Sequence, residues 1–356
     1  MPPSRWERIE ELFADCVGRA PAERVELLDR YCAGDADLRR EIGSLLAAHE
    51  TPEGILDAPP RLPTGAPVIS GLLAPGTRLG PWRVGPLIGR GGAGEVYGAH
   101  RADGSFEQQV AIKVLQPEAA AQLDRFHAER RILARLEHPG IARLLDGGVT
   151  EDGRPYAVIE YVEGRPLVDH CREHGCDLEE RLRLFGQVCE AAAHAHRNLV
   201  VHRDLKPGNI LVDAAGRVKL LDFGIAKLLD AGDGGAAADV TRAPLTPDYA
   251  APEQLTGEPV TTATDVYALG VLLFELLTGK KPFDASRLPG TEPPRGSLRG
   301  DLEAVVMTAM EVDPARRYAT ADKLADDVRR YLGGHPVALG RIFRLLCAPG
   351  VNAANA

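Results

Sequence analysis

Residues 199–212, LVVHRDLKPGNILV, place a group of polar side chains between two apolar, strand-like runs. The group contains His202, Arg203, Asp204 and Lys206, and Asn209 follows shortly after. A buried charge without a partner destabilises a folded protein, so such a cluster usually faces a ligand or takes part in a reaction. The cluster therefore predicts a binding or catalytic site, and the rest of the chain has to indicate which chemistry it performs.

A glycine-rich stretch, GRGGAGEV, places Gly89, Gly91 and Gly94 in a G-x-G-x-x-G pattern. The dinucleotide-binding version of this pattern must open a helix. Here the strand-like EVYGAHR and QQVAIKVL follow, joined by a turn at Asp103 and Gly104, so a β-hairpin is predicted. Glycines in a hairpin let backbone N–H groups approach phosphates closely. A flexible turn without a ligand is the alternative that this pattern alone leaves open.

A lysine and a glutamate follow the hairpin. Lys113 lies in the apolar strand-like run VAIK, and Glu129 lies in the predicted helix FHAERRIL. The two side chains can pair between strand and helix, and Lys113 can then hold phosphates as a point charge. A lysine whose charged end simply reaches the solvent is the alternative.

Two further stretches complete an ordered series. LLDFG contains Asp222, and APE occupies residues 251–253. HRDLKPGN resembles the catalytic loop of eukaryotic-type protein kinases, and LLDFG resembles their metal-binding loop. The order of glycine loop, lysine, glutamate, catalytic loop, DFG and APE also matches, over roughly residues 80–333. The chain is therefore similar to the bacterial serine/threonine protein kinases of eukaryotic type.

The resemblance implies an ATP-dependent serine/threonine protein kinase that also phosphorylates itself, in bacterial signalling. Asp204 would accept or orient the proton of the substrate hydroxyl, and Lys206 would reach the transferred phosphate. Asn209 and Asp222 would hold Mg²⁺, or Mn²⁺ in its place, through oxygen ligands. Positioning and charge neutralisation supply most of the catalysis in such a reaction.

The resemblance also assigns an ATP-binding set and a supporting set. Ile159 would close the rear of the adenine pocket, and Glu160 and Val162 would offer backbone groups to the ring. The ATP-binding set consists of Gly89, Gly91, Gly94, Val96, Ala111, Lys113, Ile159, Glu160, Val162 and Leu211. The supporting contacts are an apolar stack of Leu133, His202 and Phe223, an anchor for the catalytic loop at Asp265, and an ion pair of Glu253 with Arg317.

Three residues are implied in substrate choice and regulation. Thr246, in LTPDYAAPE, would position the peptide, and together with Lys206 it favours serine/threonine over tyrosine substrates. Thr241 is expected to be autophosphorylated, and Arg203 would receive its phosphate through paired hydrogen bonds. A loop that packing holds in order, with Arg203 paired to an acidic neighbour such as Asp239, is the alternative.

The elements that must position these residues form an α+β, bilobal protein kinase fold with a small β-rich lobe before a larger helical lobe. Residues 1–50 carry three amphipathic helical patterns and are expected to regulate or dock. A proline- and glycine-rich linker is predicted at 51–79, the kinase domain at 80–333 and a short tail at 334–356.

Composition limits the remaining classes. The 356-residue chain is 44% hydrophobic and 26% charged, and its net charge of −9 argues against general nucleic-acid binding. The six cysteines show no CxxC pair, the first residues show no signal pattern, and VYALGVLLFELLTG is too short to span a bilayer. We therefore expect a cytoplasmic protein without a transmembrane segment, whose partners are protein substrates and a second copy for trans-autophosphorylation.

The residues argue against three other classes of protein, and a catalytically weak, pseudokinase-like scaffold is kept as the alternative. A pseudokinase-like scaffold would lack one of Lys113, Asp204, Asn209 or Asp222, and a small-molecule kinase would lack TPDYAAPE. A P-loop hydrolase would need G-x-x-x-x-G-K-[ST], which is absent. The stretch DHCREHGC suggests a metal site as a weaker alternative. The sequence departs from the kinase pattern at Ala93, a small residue at the tip of the glycine loop, and in the shortened, proline-rich stretch 284–300.

Overall fold

The computed structural model describes the greater part of the chain from residue 72 to residue 338 and a few residues before it. The described residues are 16, 27, 28, 30–32, 39, 72–91, 94–104, 106–115, 133, 134, 136–223, 247–283 and 298–338. Two compact units divide the chain, Met1–Gly54 and Ile55–Ala356. In the first unit the described residues are helical apart from Cys32, and the other positions of the predicted helices lie outside the described residues.

A six-stranded antiparallel sheet forms the small lobe within the described part of the second unit. Its strands lie in the order β1-β2-β3-β4-β6-β5. Their bounds are β1 (Arg78–Leu79), β2 (Trp82–Gly91), β3 (Gly94–Arg101), β4 (Gln109–Leu115), β5 (Leu144–Val149) and β6 (Pro155–Glu160). The hairpin predicted from EVYGAHR and QQVAIKVL is confirmed, because β3 and β4 pair antiparallel. β2 and β3 also pair antiparallel, with Gly91 facing Gly94, so the glycine-rich stretch forms the turn of a second hairpin.

The two faces of this sheet have different neighbours, because successive side chains of a strand point to opposite sides. On β4, Val110, Ile112 and Val114 are fully buried in a core that belongs to the small lobe. Ala111 and Lys113 alternate with them and point to the other face. The second face therefore contains the residues that are predicted to bind ATP.

Leu72 and Leu73 pack on the first face and Arg78–Leu79 form β1, although a linker is predicted over residues 51–79. Leu72 and Leu73 lie against the core that contains Trp82 and Tyr97. The backbone N–H of Gly76 donates to the carbonyl of Val84 at 2.7 Å. These residues belong structurally to the small lobe.

The larger lobe is mostly helical. Its small sheet has the order β7-β8-β9, with β7 (Gly164–Pro166), β8 (Ile210–Asp213) and β9 (Val218–Leu220). The helices are α1 (Leu167–Glu173), α2 (Leu178–Arg197), α3 (Pro252–Thr256), α4 (Thr262–Thr278), α5 (Asp301–Ala309) and α6 (Ala321–Leu332). Short 3₁₀ turns occur at Pro207–Asn209, Pro247–Tyr249 and Pro314–Arg316.

Local sequence signals set the ends of the two long helices. Asp177 caps α2 in a capping box with Glu180. Thr261 caps α4, and Gly279 ends it in the left-handed conformation that glycine adopts easily. The apolar run in α4 lies in the core of the large lobe. Among the described helices, none combines the length and apolar character that crossing a membrane requires.

Candidate active site

The backbone of the predicted catalytic loop is held by Asp265, which lies on α4 and is almost completely buried. Its Oδ2 accepts from the backbone N–H of His202 at 2.7 Å, and its Oδ1 accepts from that of Arg203 at 2.9 Å. His196 on α2 lies 2.8 Å from the same carboxylate. The anchor predicted at Asp265 is confirmed, and the additional contact with His196 was not predicted from the sequence.

Arg203 adopts a left-handed backbone conformation with φ of 67°. A residue with a Cβ atom rarely takes this conformation, so its surroundings must hold it there. Besides Asp265 on its N–H, Gln254 donates to its carbonyl at 3.0 Å. Both backbone groups are therefore fixed immediately before Asp204.

Asp204 lies within a small polar network. The Asn209 side-chain amide donates to the backbone carbonyl of Asp204 at 2.7 Å and to its Oδ2 at 2.9 Å. Lys206 Nζ lies 3.4 Å from the same oxygen. The 3₁₀ turn at Pro207–Asn209 brings Asn209 back onto the loop. The structure thus brings together three of the predicted residues.

Asp222 is placed beside this network by backbone contacts. The N–H of Leu221 donates to the carbonyl of Asn209 at 2.8 Å, and the carbonyl of Leu221 lies 2.8 Å from Nε2 of His202. Asp222 itself has a left-handed φ of 60°. Its carboxylate contacts the ammonium group of Lys113 on β4, so the two lobes meet at these two side chains.

Two of these side chains fit a divalent cation. Asp222 Oδ1 is buried and finds no hydrogen-bond donor among the described residues. Asn209 uses its amide nitrogen on Asp204, so ligation of a cation would use its carbonyl oxygen. Hard cations such as Mg²⁺ bind oxygen ligands of these two kinds.

The predicted ATP-binding residues of the sheet lie on one face. In the strand register Val96 faces Lys113, and Ala111 faces Ile159, so these four side chains point to the same side. Leu211, on β8 of the large lobe, is half-buried. Gly94 cannot carry a side chain, because its φ is +145° and a Cβ atom would lie 2.0 Å from the carbonyl oxygen of Val114. Close packing of β3 on β4 thus requires a glycine at this position.

A comparison of the chain with known protein families identifies its family. A model of the protein kinase domain matches residues 82–320. The chain belongs to the protein kinase family. The predicted bilobal kinase fold is therefore confirmed, and members of this family use ATP with a divalent metal ion.

Several bacterial kinases are similar to this kinase domain. Serine/threonine-protein kinase PrkC of Bacillus subtilis is 36% identical over 267 residues, which cover 70% of this chain and 40% of the relative. Serine/threonine-protein kinase PknB of Mycobacterium tuberculosis is 35% identical over 276 residues, with 72% and 43% covered. The crystal structure of the M. tuberculosis PknI kinase domain superposes with a TM-score of 0.59 at 29% identity, covering 74% of this chain and 99% of that one. The chain thus lies in the bacterial, eukaryotic-type serine/threonine branch, and it spans less than half the length of the curated relatives PrkC and PknB.

The kinase domain uses the side chain of Glu160 in a way that was not predicted. Lys219 on β9 donates to Glu160 Oε1 at 2.7 Å, and the N–H of Arg143 donates to Oε2 at 3.1 Å. The resemblance implies a role for the backbone of Glu160 alone, as an adenine partner. The side chain connects the end of β6 to the small sheet that contains Leu211.

Two supporting contacts of the kinase domain are confirmed. The rings of His202 and Phe223 lie 4.7 Å apart between centroids. Leu133 is buried in the core that also contains Phe223, and its place in the stack stays a prediction. Arg317 donates to Glu253 at 2.7 and 2.8 Å with both side chains buried. Burial alone would raise the pKa of Glu253, but the hydrogen bonds from Arg317 and Thr264 outweigh it, and the pKa lies below its usual value.

Three predicted residues, Glu129, Thr241 and Thr246, lie outside the described residues, as do Ala93 and most of the stretch 284–300. Their roles remain predictions. The metal site suggested by DHCREHGC has no support, because the described residues contain no group of three or more His, Cys, Asp or Glu that could hold a metal ion. His170 and His174 instead stack on each other, with ring centroids 4.2 Å apart.

Proposed function

We propose that the protein transfers the γ-phosphate of ATP to serine and threonine hydroxyls of proteins, including its own. The observation that carries this proposal is the meeting of Lys113, Asp204, Asn209 and Asp222 at the junction of the lobes. A scaffold that had lost phosphoryl transfer would not need all four. The curated relatives PrkC and PknB carry the name serine/threonine-protein kinase, which supports the same activity.

Each residue has a role that follows from its chemistry. Asp204 orients the substrate hydroxyl and accepts its proton, while Lys206, 3.4 Å away, neutralises charge on the transferred phosphate. Asn209 and Asp222 hold Mg²⁺, with Mn²⁺ as a substitute. A bound cation of this kind neutralises charge that develops on the phosphates.

Lys113 holds the phosphates of ATP, with Glu129 as its partner from the predicted helix. In the structure Lys113 contacts Asp222, so the phosphate-binding cation and the metal-binding carboxylate compensate each other's charge. Adenine would lie between Val96, Ala111 and Leu211, with Ile159 behind it and the backbone of Glu160 and Val162 at its edge. The glycines at positions 89, 91 and 94 would cover the phosphates.

Regulation and substrate positioning form a second layer of the proposal. Thr246 positions the peptide, and phosphorylation of Thr241 activates the enzyme through Arg203. A second copy carries out trans-autophosphorylation. Residues 1–50 act as a separate docking or regulatory unit, joined to the kinase domain by the linker.

The test is incubation of the full chain with γ-labelled ATP and Mg²⁺, with labelled sites mapped by mass spectrometry. Asp222→Asn should lose nearly all labelling, and Asp204→Asn should lose about 10²- to 10⁴-fold, the usual contribution of a positioned acid–base group. Asp322→Asn is the matched control, because Asp322 forms an exposed ion pair with Arg197. Wild-type labelling no greater than that of Asp222→Asn would favour the scaffold.

A further inference from the structure

Glu95 follows Gly94 directly in the glycine-rich hairpin, yet its side chain is among the most buried acidic groups of the small lobe, with 3% exposure. In the register of β3 and β4 it faces Val114, while its neighbour Val96 faces Lys113. Glu95 therefore lies on the rear of the hairpin, opposite to the face that is proposed to bind ATP.

Three elements converge on this carboxylate. Arg90, which faces it across the hairpin on β2, donates to Oε1 through Nε at 2.7 Å and Nη2 at 2.6 Å. The hydroxyl group of Tyr97 donates to Oε2. The backbone N–H of Leu72 donates to the same oxygen at 2.6 Å. Because Arg90 and Glu95 flank the Gly91–Gly94 turn, their ion pair closes the base of the loop.

The Leu72–Leu73 segment precedes β1, and it makes a second hydrogen bond and an apolar contact, both with the surroundings of Tyr97. The N–H of Leu73 donates to the hydroxyl oxygen of Tyr97 at 2.9 Å. The Leu72 and Leu73 side chains pack on the core that contains Tyr97. The Leu72–Leu73 segment is thereby hydrogen-bonded to Glu95 and Tyr97, which lie on the rear side of the hairpin.

The electrostatics agree with a permanently charged Glu95. Burial pushes its pKa upwards, but hydrogen bonds from Tyr97, Leu72 and Arg90 outweigh that effect and leave the pKa below its usual value. Burial, together with the hydrogen bond to Glu95, raises the pKa of Tyr97 to about 12, so its hydroxyl remains a donor. A charged acceptor with neutral and cationic donors forms strong, directional hydrogen bonds.

We propose that Glu95 is a positioning residue for the phosphate-binding hairpin and that the Leu72–Leu73 segment is its second support, so that this segment tunes the binding of ATP. The inference rests on the proposed function for its consequence in catalysis. Its physical content is a coupling between two sites: release of the Leu72 N–H from Glu95 loosens the hairpin, and a loose hairpin binds nucleotide less tightly. Substitution of a residue that only stabilised the small lobe would lower the melting temperature but would not specifically weaken the binding of ATP.

The test uses the full chain and removes a single N–H group. Leu72→Pro deletes the donor to Glu95 and leaves Arg90, Glu95 and Tyr97 in place. The preceding residue, Gly71, has no Cβ atom that could clash with the proline ring. Leu72→Ala is the matched control, because it keeps the N–H and shortens only the apolar side chain. Glu95→Gln tests the carboxylate itself.

Three measurements distinguish a role in positioning the hairpin from a role in the stability of the small lobe alone. Calorimetric titration with ATP and Mg²⁺ should show a Kd about five- to tenfold higher for Leu72→Pro and Glu95→Gln than for wild type and Leu72→Ala, within the usual range of coupling between sites. Steady-state rates should show the increase in KM for ATP, with kcat changed less. Hydrogen exchange of the nucleotide-free protein should become faster in the peptide that spans residues 89–96.

The outcomes are distinct. Unchanged Kd and unchanged hairpin exchange in Leu72→Pro would overturn the proposal, as would an equal effect in Leu72→Ala. If Leu72→Pro and Glu95→Gln fail to fold, Tyr97→Phe is used instead, because it removes one hydroxyl group and retains the ring. An unchanged Kd and unchanged hairpin exchange in Tyr97→Phe would then overturn the proposal. Absence of phosphoryl transfer in the wild type would refute the proposed function, but titration and exchange would still test the coupling.

Discussion

Lys113 and Asp222 are in contact although they lie 109 positions apart in the chain. One side chain comes from a strand of the small lobe and the other from the segment after β9, so this ion pair joins the two lobes at the proposed phosphate and metal site. Lys113 is 8% exposed and Asp222 20% exposed at the side chain, so neither charge is well solvated alone.

The first prediction concerns the energetic coupling of this pair. Lys113→Met leaves the carboxylate of Asp222 largely buried without its cation, and the free energy of unfolding should fall by about 1–3 kcal/mol, less than for a fully buried pair because water still reaches Asp222. Lys113→Met combined with Asp222→Asn should recover part of that loss. Urea denaturation of the four proteins in the cycle measures the coupling.

The exposed pair of Lys281 with Asp248 is the control for the cycle, since its side chains are 45% and 35% exposed. Its coupling energy should lie at about 0–1 kcal/mol. Strictly additive effects of Lys113→Met and Asp222→Asn would show that the contact does not stabilise the protein.

The second prediction concerns the anchor of the catalytic loop. Asp265→Asn replaces one carboxylate oxygen by an amide nitrogen, which cannot accept a hydrogen bond, so one of the N–H groups of His202 and Arg203 loses its partner. The resulting displacement of Asp204 should lower kcat about 10²-fold, with little change in the Kd for ATP. Asp322→Asn should have wild-type kcat. An unchanged kcat in Asp265→Asn would contradict the anchoring role.

The third prediction concerns pH. His202 is fully buried, and this burial lowers its pKa from the usual 6.5 despite the nearby carboxylates of Asp265 and Asp204. The backbone N–H of Asp204 donates to Nδ1 at 3.3 Å, so Nε2 carries the proton that reaches the carbonyl of Leu221. This neutral form is compatible with both contacts, whereas a proton on Nδ1 would remove the acceptor for the N–H of Asp204.

The lowered pKa of His202 determines how the free energy of unfolding changes with pH. Below about pH 6.5 the histidine of the unfolded chain takes up a proton that the folded protein excludes, so the free energy of unfolding falls as the pH falls towards the folded pKa. The slope for one group is at most about 1.4 kcal/mol per pH unit. His202→Leu should lose this component in urea denaturation between pH 5 and 7, whereas His170→Gln should retain it. Parallel pH profiles for wild type and His202→Leu would contradict the prediction.

The fourth prediction concerns Leu199, which follows the end of α2. It has a left-handed φ of 61° and its side chain is 93% exposed, while the N–H groups of Leu199 and Val200 close the helix on His196 and Ala195. An L-residue pays about 1–2 kcal/mol for this conformation, and glycine does not. Leu199→Gly should therefore raise the free energy of unfolding by about 1 kcal/mol. Leu199→Ala keeps the Cβ atom and should not stabilise; equal stability of the two variants would refute the explanation.

The sequence by itself determined the family and many of the local elements, and it predicted the chemistry of the site. The hairpin of β3 and β4, which follows the glycine-rich stretch, could be predicted because two strand-like runs flank a turn at Asp103 and Gly104. A dinucleotide-binding helix after the glycines could be excluded for the same reason. The order of glycine loop, Lys113, Glu129, catalytic loop, DFG and APE predicted the family, which the match to the protein kinase domain confirms. These signals are local, since strand periodicity, turn residues and motif spacing can be recognised within about ten residues.

Only the tertiary structure decided which distant groups meet. Nothing in the local sequence pairs Lys113 with Asp222, gives Lys219 to the Glu160 side chain, or brings His196 to Asp265. The hydrogen bond from the Leu72 N–H to Glu95 could not be predicted either, because a backbone N–H has no sequence signature and the composition of this segment predicts a linker. Such contacts depend on how lobes and strands pack, and a buried carboxylate takes whichever donors that packing brings within hydrogen-bond distance.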